Sequence, residues 1–157
     1  MEKCIDRSEE KIGKIGIDEA TKLITSCTYG VLATVSKDSQ PYTTPLSYVF
    51  DGDCIYFHCA AEGQKINNIK SNPTVSFCVV GQTKTLPNKF ATEYESAIAF
   101  GIAKEIINSE KEEALLKILE KYSSEFIAQG RKYIAGKIDV TTVVKIDIKH
   151  LTGKARN

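Results

Sequence analysis

The sequence predicts a mainly β fold with a smaller helical share: a small antiparallel barrel with flanking helices, in one domain over residues 1–157. Two observations carry this. About six apolar or alternating runs are separated by turn signals and not by regularly alternating helices, which argues against a parallel sheet. A chain of 157 residues with 42% hydrophobic and 26% charged residues has the size and composition of one ordinary domain with a real core.

Taken in order, "MEKCIDRSEEKIGK" (1–14) reads as a charged N-terminal arm. Asp18 offers an N-cap for "EATKLITSC", a helix whose Ala20, Leu23, Ile24 and Cys27 fall at helical spacing. "GVLATVS" is a β-branched strand, "KDSQ" a turn, and "PYTTPLSYVF" a second strand. Pro41 and Pro45 cannot donate to a ladder, so that second strand is expected at an edge or bulged. Asp51-Gly52 is a hairpin turn that returns into "DCIYFHC", giving a three-stranded antiparallel meander. A short helix follows over 64–71, then strands "TVSFCVVG" and "YESAIAFGIAKEII" joined by a polar loop. Ser109 and Glu112 form the pattern of a capping box that opens a helix carrying Ala114, Leu115, Ile118, Leu119 and Tyr122. "VVKIDIKHL" alternates Val144, Ile146 and Ile148 against Lys145, Asp147 and Lys149, a half-exposed strand.

Composition narrows the function classes. A formal charge of +1 offers no global field for nucleic acid, and Lys154-Ala155-Arg156 reads as a solvated tail. No apolar stretch is long enough to span a bilayer, and the N-terminus lacks the hydrophobic run of a secretory signal, so a cytoplasmic location is expected. Five scattered cysteines without a CxxC pair, and only two histidines, argue against a disulfide framework and against a zinc site. GxGxxG, GxxxxGK[ST], HExxH and GxSxG are all absent.

One stretch stands out: "YFHCAAEGQKINNIKSNP" (56–73), a strand that passes through small residues into a basic helix. The start of a helix exposes unpaired N–H groups, and its dipole favours an anion. Lys65 adds a positive charge, Gly63 leaves room over the backbone, and His58 stands on the strand side. The residues fit a phosphate cradle. They equally fit a plain tight turn with a solvated lysine and a strand-end histidine.

The longer segment "GVLATVSKDSQPYTTPLSYVFDGDCIYFHCAAEGQKINNIKSNPTVSF", with "ESAIAFGIAKEI" and the closing "LTGK", resembles the pyridoxamine 5'-phosphate oxidase-like FMN-binding split-barrel proteins. Within them it looks closest to the branch related to nitroimidazole-resistance proteins. The resemblance runs from about Ile17 to Lys154. It implies a split β-barrel homodimer with FMN in clefts between subunits. It also implies that Leu32, Ala33 and Thr34 lie against the flavin ring and that Thr44, Pro45 and Leu46 form the neighbouring wall. His58, Gly63 and Lys65 would stand at the ribityl-phosphate end, and Ser96 near the cofactor. The authentic oxidase carries an arginine beside its phosphate lysine, whereas Gln64 stands here, and the chain has no tryptophan; both argue against oxidation of pyridoxamine phosphate itself.

The function this implies is a flavin-dependent reductase of small, electron-poor organic acceptors of the nitroaromatic kind, with NAD(P)H as electron donor. A flavin-binding or sensing module without turnover, or a heme-binding split barrel with His58 as axial ligand, are the alternatives.

Overall fold

The computed structural model describes residues 13–156; the arm up to residue 12, with Cys4 and the Glu9-Glu10 pair, lies outside them. The elements are β1 (Lys14–Ile15), α1 (Ile17–Ser26), β2 (Gly30–Val35), β3 (Pro41–Leu46), β4 (Val49–Asp51) and β5 (Cys54–Ala60). They continue with α2 (Gln64–Ser71), β6 (Thr74–Leu86), β7 (Ala91–Ile106), α3 (Asn108–Tyr122), α4 (Ile127–Lys137) and β8 (Thr141–Arg156). All pairings are antiparallel in one eight-stranded sheet, ordered β3-β2-β6-β7-β8-β5-β4, with β1 beside the end of β8. The two end strands, β3 and β4, share no ladder, so the sheet curls around its core without closing.

The prolines sit where their missing N–H costs least, on the edge strand β3, as expected. The meander is not formed. "PYTTPLSYVF" breaks at Ser47-Tyr48: β3 stays on β2 at one end of the sheet, and β4 pairs with β5 at the other. Tyr48 pins this crossing. It is fully buried, its hydroxyl donates to the Ile24 carbonyl, and its ring meets Phe77 edge-on at 4.7 Å. Its N–H donates to the Tyr122 hydroxyl at 3.0 Å, which ties the crossing to α3.

Other boundaries move for local reasons. The cap of α1 is Gly16, whose N–H donates to Glu19 Oε2 at 3.0 Å; Asp18 lies inside the first turn, where the helix dipole favours an acid. The Ser109–Glu112 box is not made, because α3 starts at Asn108 with Ile107 as its cap. The polar loop after "TVSFCVVG" is the outer part of a long β6–β7 hairpin, turned by Pro87–Lys89. Lys154-Ala155-Arg156 is no solvated tail: it completes β8, with Lys154 paired to Lys14 and Ser96. The alternation read in "VVKIDIKHL" holds, with Val144 and Ile146 in the core.

Two apolar clusters result. Inside the curl, Leu32, Phe57, Phe77, Val79 and Ile146 pack with Ile24 of α1 and with Ile66 and Ile69 of α2. Outside it, Cys54, Tyr56 and Val143 pack beneath Ala114 and Leu115 of α3. Strand β5 is therefore buried on both faces over Cys54–Phe57. No comparable cluster forms on the outer face of β2, β6 and β7 among the described residues.

Candidate functional site

Strand β5 delivers the chain through Ala60, Ala61 and Glu62, all exposed, into α2. Gly63 caps that helix with φ +144° and ψ 166°, a conformation that L side chains rarely adopt, and a Cβ there would meet nothing within 4 Å. No side chain caps α2, and its first turn holds no acid. The N–H groups of Gln64, Lys65 and Ile66 thus keep no intrahelical or side-chain partner, and half-buried Lys65 stands among them. The result is a locally positive, side-chain-free rim suited to an oxyanion.

A polar relay fixes this rim to the sheet. Gln64 Nε2 donates to Asn68 Oδ1 at 2.7 Å, and Asn68 Nδ2 donates to Thr34 Oγ1 at 2.9 Å. Thr34 Oγ1 donates in turn to the Tyr42 carbonyl at 3.3 Å. Asn68 and Thr34 are each 2% exposed, so the relay is built into the core. Sequence reasoning missed Gln64 and Asn68 as members of the site. Their i, i+4 spacing was the available signal.

The register separates the remaining expected residues. Leu32 pairs with Thr44 and Gly30 with Leu46, so with Leu32 in the core these side chains and Thr34 share the inner face. Ala33 and Pro45 alternate to the outer face, together with Val31 and Cys78. Ser96 lies on that outer face too, opposite Val80 and Lys154, but toward the other end of β7 from Ile102, which pairs next to α2. Thr44 Oγ1 is buried without a hydrogen-bond partner. An orphaned hydroxyl of this kind favours any ligand group that reaches it.

His58 stands on β5 and Lys65 in the first turn of α2. His58 faces the α3 and α4 side, in a pocket with Tyr133 and Lys137. Lys65 acts on Cys59, which packs against the inner core. Burial raises the Cys59 thiol pKa, Lys65 offsets part of this, and Glu105 adds to it. Burial likewise raises Cys27 and Cys54, so these three are protonated thiols at neutral pH and poor nucleophiles. Burial lowers the His58 pKa and keeps its ring neutral. Among the described residues no three His, Cys, Asp or Glu gather as metal ligands. Among the described residues no helix is long and apolar enough to cross a membrane.

A mainly β sheet curled around one core, left open between β3 and β4 and flanked by helices, is a split-barrel architecture. The chain belongs to the pyridoxamine 5'-phosphate oxidase family: that family's model matches residues 17–155. Among solved structures, a candidate 5-nitroimidazole antibiotic resistance protein from Bacteroides thetaiotaomicron superposes with TM-score 0.78 at 22% identity, covering 90% of this chain and 86% of that one. The FAD and heme binding protein from Mycobacterium smegmatis gives 0.79 at 15% identity, over 92% and 74%. An FAD-binding protein from Mesorhizobium loti gives 0.66 at 21%, over 92% and 97%. At these identities the likeness shows the shared fold. No curated protein matches significantly.

Proposed function

We propose that this protein binds FMN as a homodimer and is a flavin-dependent reductase, passing electrons from NADH or NADPH to small electron-poor organic acceptors such as nitroaromatics. The observation that carries the reading is the uncapped, acid-free start of α2 with Gly63 and Lys65. There the N–H groups of Gln64, Lys65 and Ile66, with the Lys65 ammonium, hold the phosphate. The backbones of the β2 segment Leu32–Thr34 and the β3 segment Thr44–Leu46, with Ala33 and Pro45 on their outer face, wall the flavin. A second copy covers the outer face that carries Ala33, Pro45 and Ser96, which excludes water from the ring.

When bound, the flavin supplies the hydride chemistry, and the chain supplies binding, orientation and dryness. This fits the lack of an activated thiol or acid–base pair at the start of α2. Lys65 is the one formal charge in that first turn, because Gln64 stands beside it. That separates the site from one built for pyridoxamine phosphate oxidation. The flavin-binding and heme-binding neighbours support a cofactor-binding use of this fold, and a cytoplasmic location suits the supply of reduced nicotinamide.

The test is an absorption spectrum of the purified protein after FMN loading and desalting, followed by anaerobic NADH or NADPH. A retained flavin that bleaches supports the reductase. A flavin that stays oxidised reduces the reading to a binding module. A Soret band that disappears in His58→Ala replaces it with heme binding.

A further inference from the structure

We infer that the outer part of the β6–β7 hairpin is a clasp for a second copy of this chain, anchored by Phe90. The inference rests on the reading that a second copy covers the outer face of β2, β6 and β7, and it names the element that holds that copy. Past its neighbours the hairpin stands alone. Strand β2 pairs with β6 only over 76–78, and β8 leaves β7 at Tyr94. Residues 83–86 and 91–93 therefore pair only with each other among the described residues. Four residues of strand reach about 13 Å beyond the sheet. A two-stranded ribbon of this kind is marginal in water unless something packs on it.

The two faces of the ribbon differ. Strand β7 runs beside β8 without a register shift from Tyr94 to Phe100, so Tyr94, and Thr92 beyond it, share the outer face with Ser96. Thr85 pairs with Thr92 and Arg156 with Tyr94, which puts both on that face as well. Lys84 and Glu93 pair with each other on the opposite face, 4.0 Å apart. The outward side thus carries two threonines, a tyrosine and an arginine. Few charges, with an aromatic residue and an arginine, is the composition of an interface.

Phe90 is the anchor. It is 97% exposed at the turn, with φ 50° and ψ 43°, a left-handed backbone that a bulky residue adopts only at a cost. With Thr85, Leu86, Pro87, Tyr94 and Arg156 it lines an open hollow of about 460 Å³. Val80, 53% exposed on the same outer face, lies between this hollow and Cys78, which pairs with Val31. The hollow is therefore continuous with the face that the second copy covers, and a surface on a two-fold axis meets its own equivalent. Each ribbon overhangs its own sheet and lies against the other copy.

The chain contains no tryptophan, so Phe90→Trp places a single such fluorophore at the tip. Sedimentation and tryptophan emission are measured on the full-length variant over one dilution series, with wild type beside it. The expected result is a dimer whose emission is blue-shifted and resists acrylamide, turning solvent-exposed as the dimer dissociates. Phe90→Ser, at a site where a single chain buries almost nothing, is expected to leave the circular dichroism spectrum unchanged. It should weaken the dimer about thirtyfold or more, as loss of an aromatic hot spot does. A dimer whose tryptophan stays solvent-exposed, or a Phe90→Ser dimer as tight as wild type, overturns the clasp and leaves the dimer reading standing. A wild type that is monomeric throughout overturns both. Emission that shifts only when anionic phospholipid vesicles are added gives the tip to a membrane and overturns the clasp as well.

Discussion

Replacing Asn68 by alanine removes the middle of the relay that fixes α2 to the sheet. Two side-chain hydrogen bonds disappear, the one from Gln64 and the one to Thr34. Each contributes about 1 kcal/mol, and the 2% exposed Thr34 hydroxyl keeps only its bond to the Tyr42 carbonyl. Leaving the buried Thr34 oxygen without its donor adds up to about 2 kcal/mol, so the total loss is about 2–4 kcal/mol. For a chain of this size that lowers Tm by roughly 5–15 °C. Urea unfolding of wild type, Asn68→Ala, Thr34→Val and the double variant gives the cycle. Because both single changes break the same bond, the double variant is expected to lose about 1 kcal/mol less than their sum. A loss below about 0.5 kcal/mol for Asn68→Ala, or strict additivity, would refute the relay. FMN affinity measured on the same variants is expected to fall in Asn68→Ala, because the N-terminal turn of α2 is no longer held.

Lys65→Ala is expected to weaken FMN about tenfold or more while leaving riboflavin nearly unchanged, since it removes one charge-assisted contact to a phosphate; fluorescence titration with both flavins separates the cases. Gly63→Val forces a β-branched residue to φ +144°, so a stability loss of about 1–3 kcal/mol in urea and weaker FMN binding are expected. Tyr122→Phe removes the hydroxyl that accepts from the Tyr48 N–H and donates to the Tyr48 or Thr28 carbonyl; about 1–2 kcal/mol should be lost in the same assay. Glu110 is held below its ordinary pKa by the hydrogen bond from Lys145, at 3.0 Å. Its folded value is the lower one, so its contribution is present above the ordinary carboxylate range and disappears as pH falls through the folded pKa. At 43% exposure that contribution is under about 1 kcal/mol, and the difference between wild type and Glu110→Gln should vanish at acid pH.

How much was legible depends on where a residue's environment is set. The strands at 30–35 and 54–60 announce themselves because their apolar content matches a buried pleat, and α2 is bracketed by Gly63 and Pro73. The jump at Ser47-Tyr48 carries no turn signal, since a buried tyrosine and not a glycine or proline makes it. The outer β6–β7 hairpin faces solvent over Gln82–Thr85, so no alternation marks it as strand. Helix α4 was invisible for a related reason: none of its residues is fully buried, and two glycines interrupt it. The residues at the start of α2 were readable from local chemistry. The pocket that His58 lines with Tyr133 and Lys137 depends on α4, and the pairing of Asn68 with Thr34 spans 34 residues that no local pattern links.

The central claim is that the start of α2 holds the phosphate of a flavin. The most direct test titrates the flavin-free wild-type protein with FMN and with riboflavin under the same conditions, following flavin fluorescence. FMN bound about tenfold or more tightly than riboflavin is the expected result. Equal affinities, or no binding of either, would contradict it and leave Gly63 and Lys65 as parts of a tight turn.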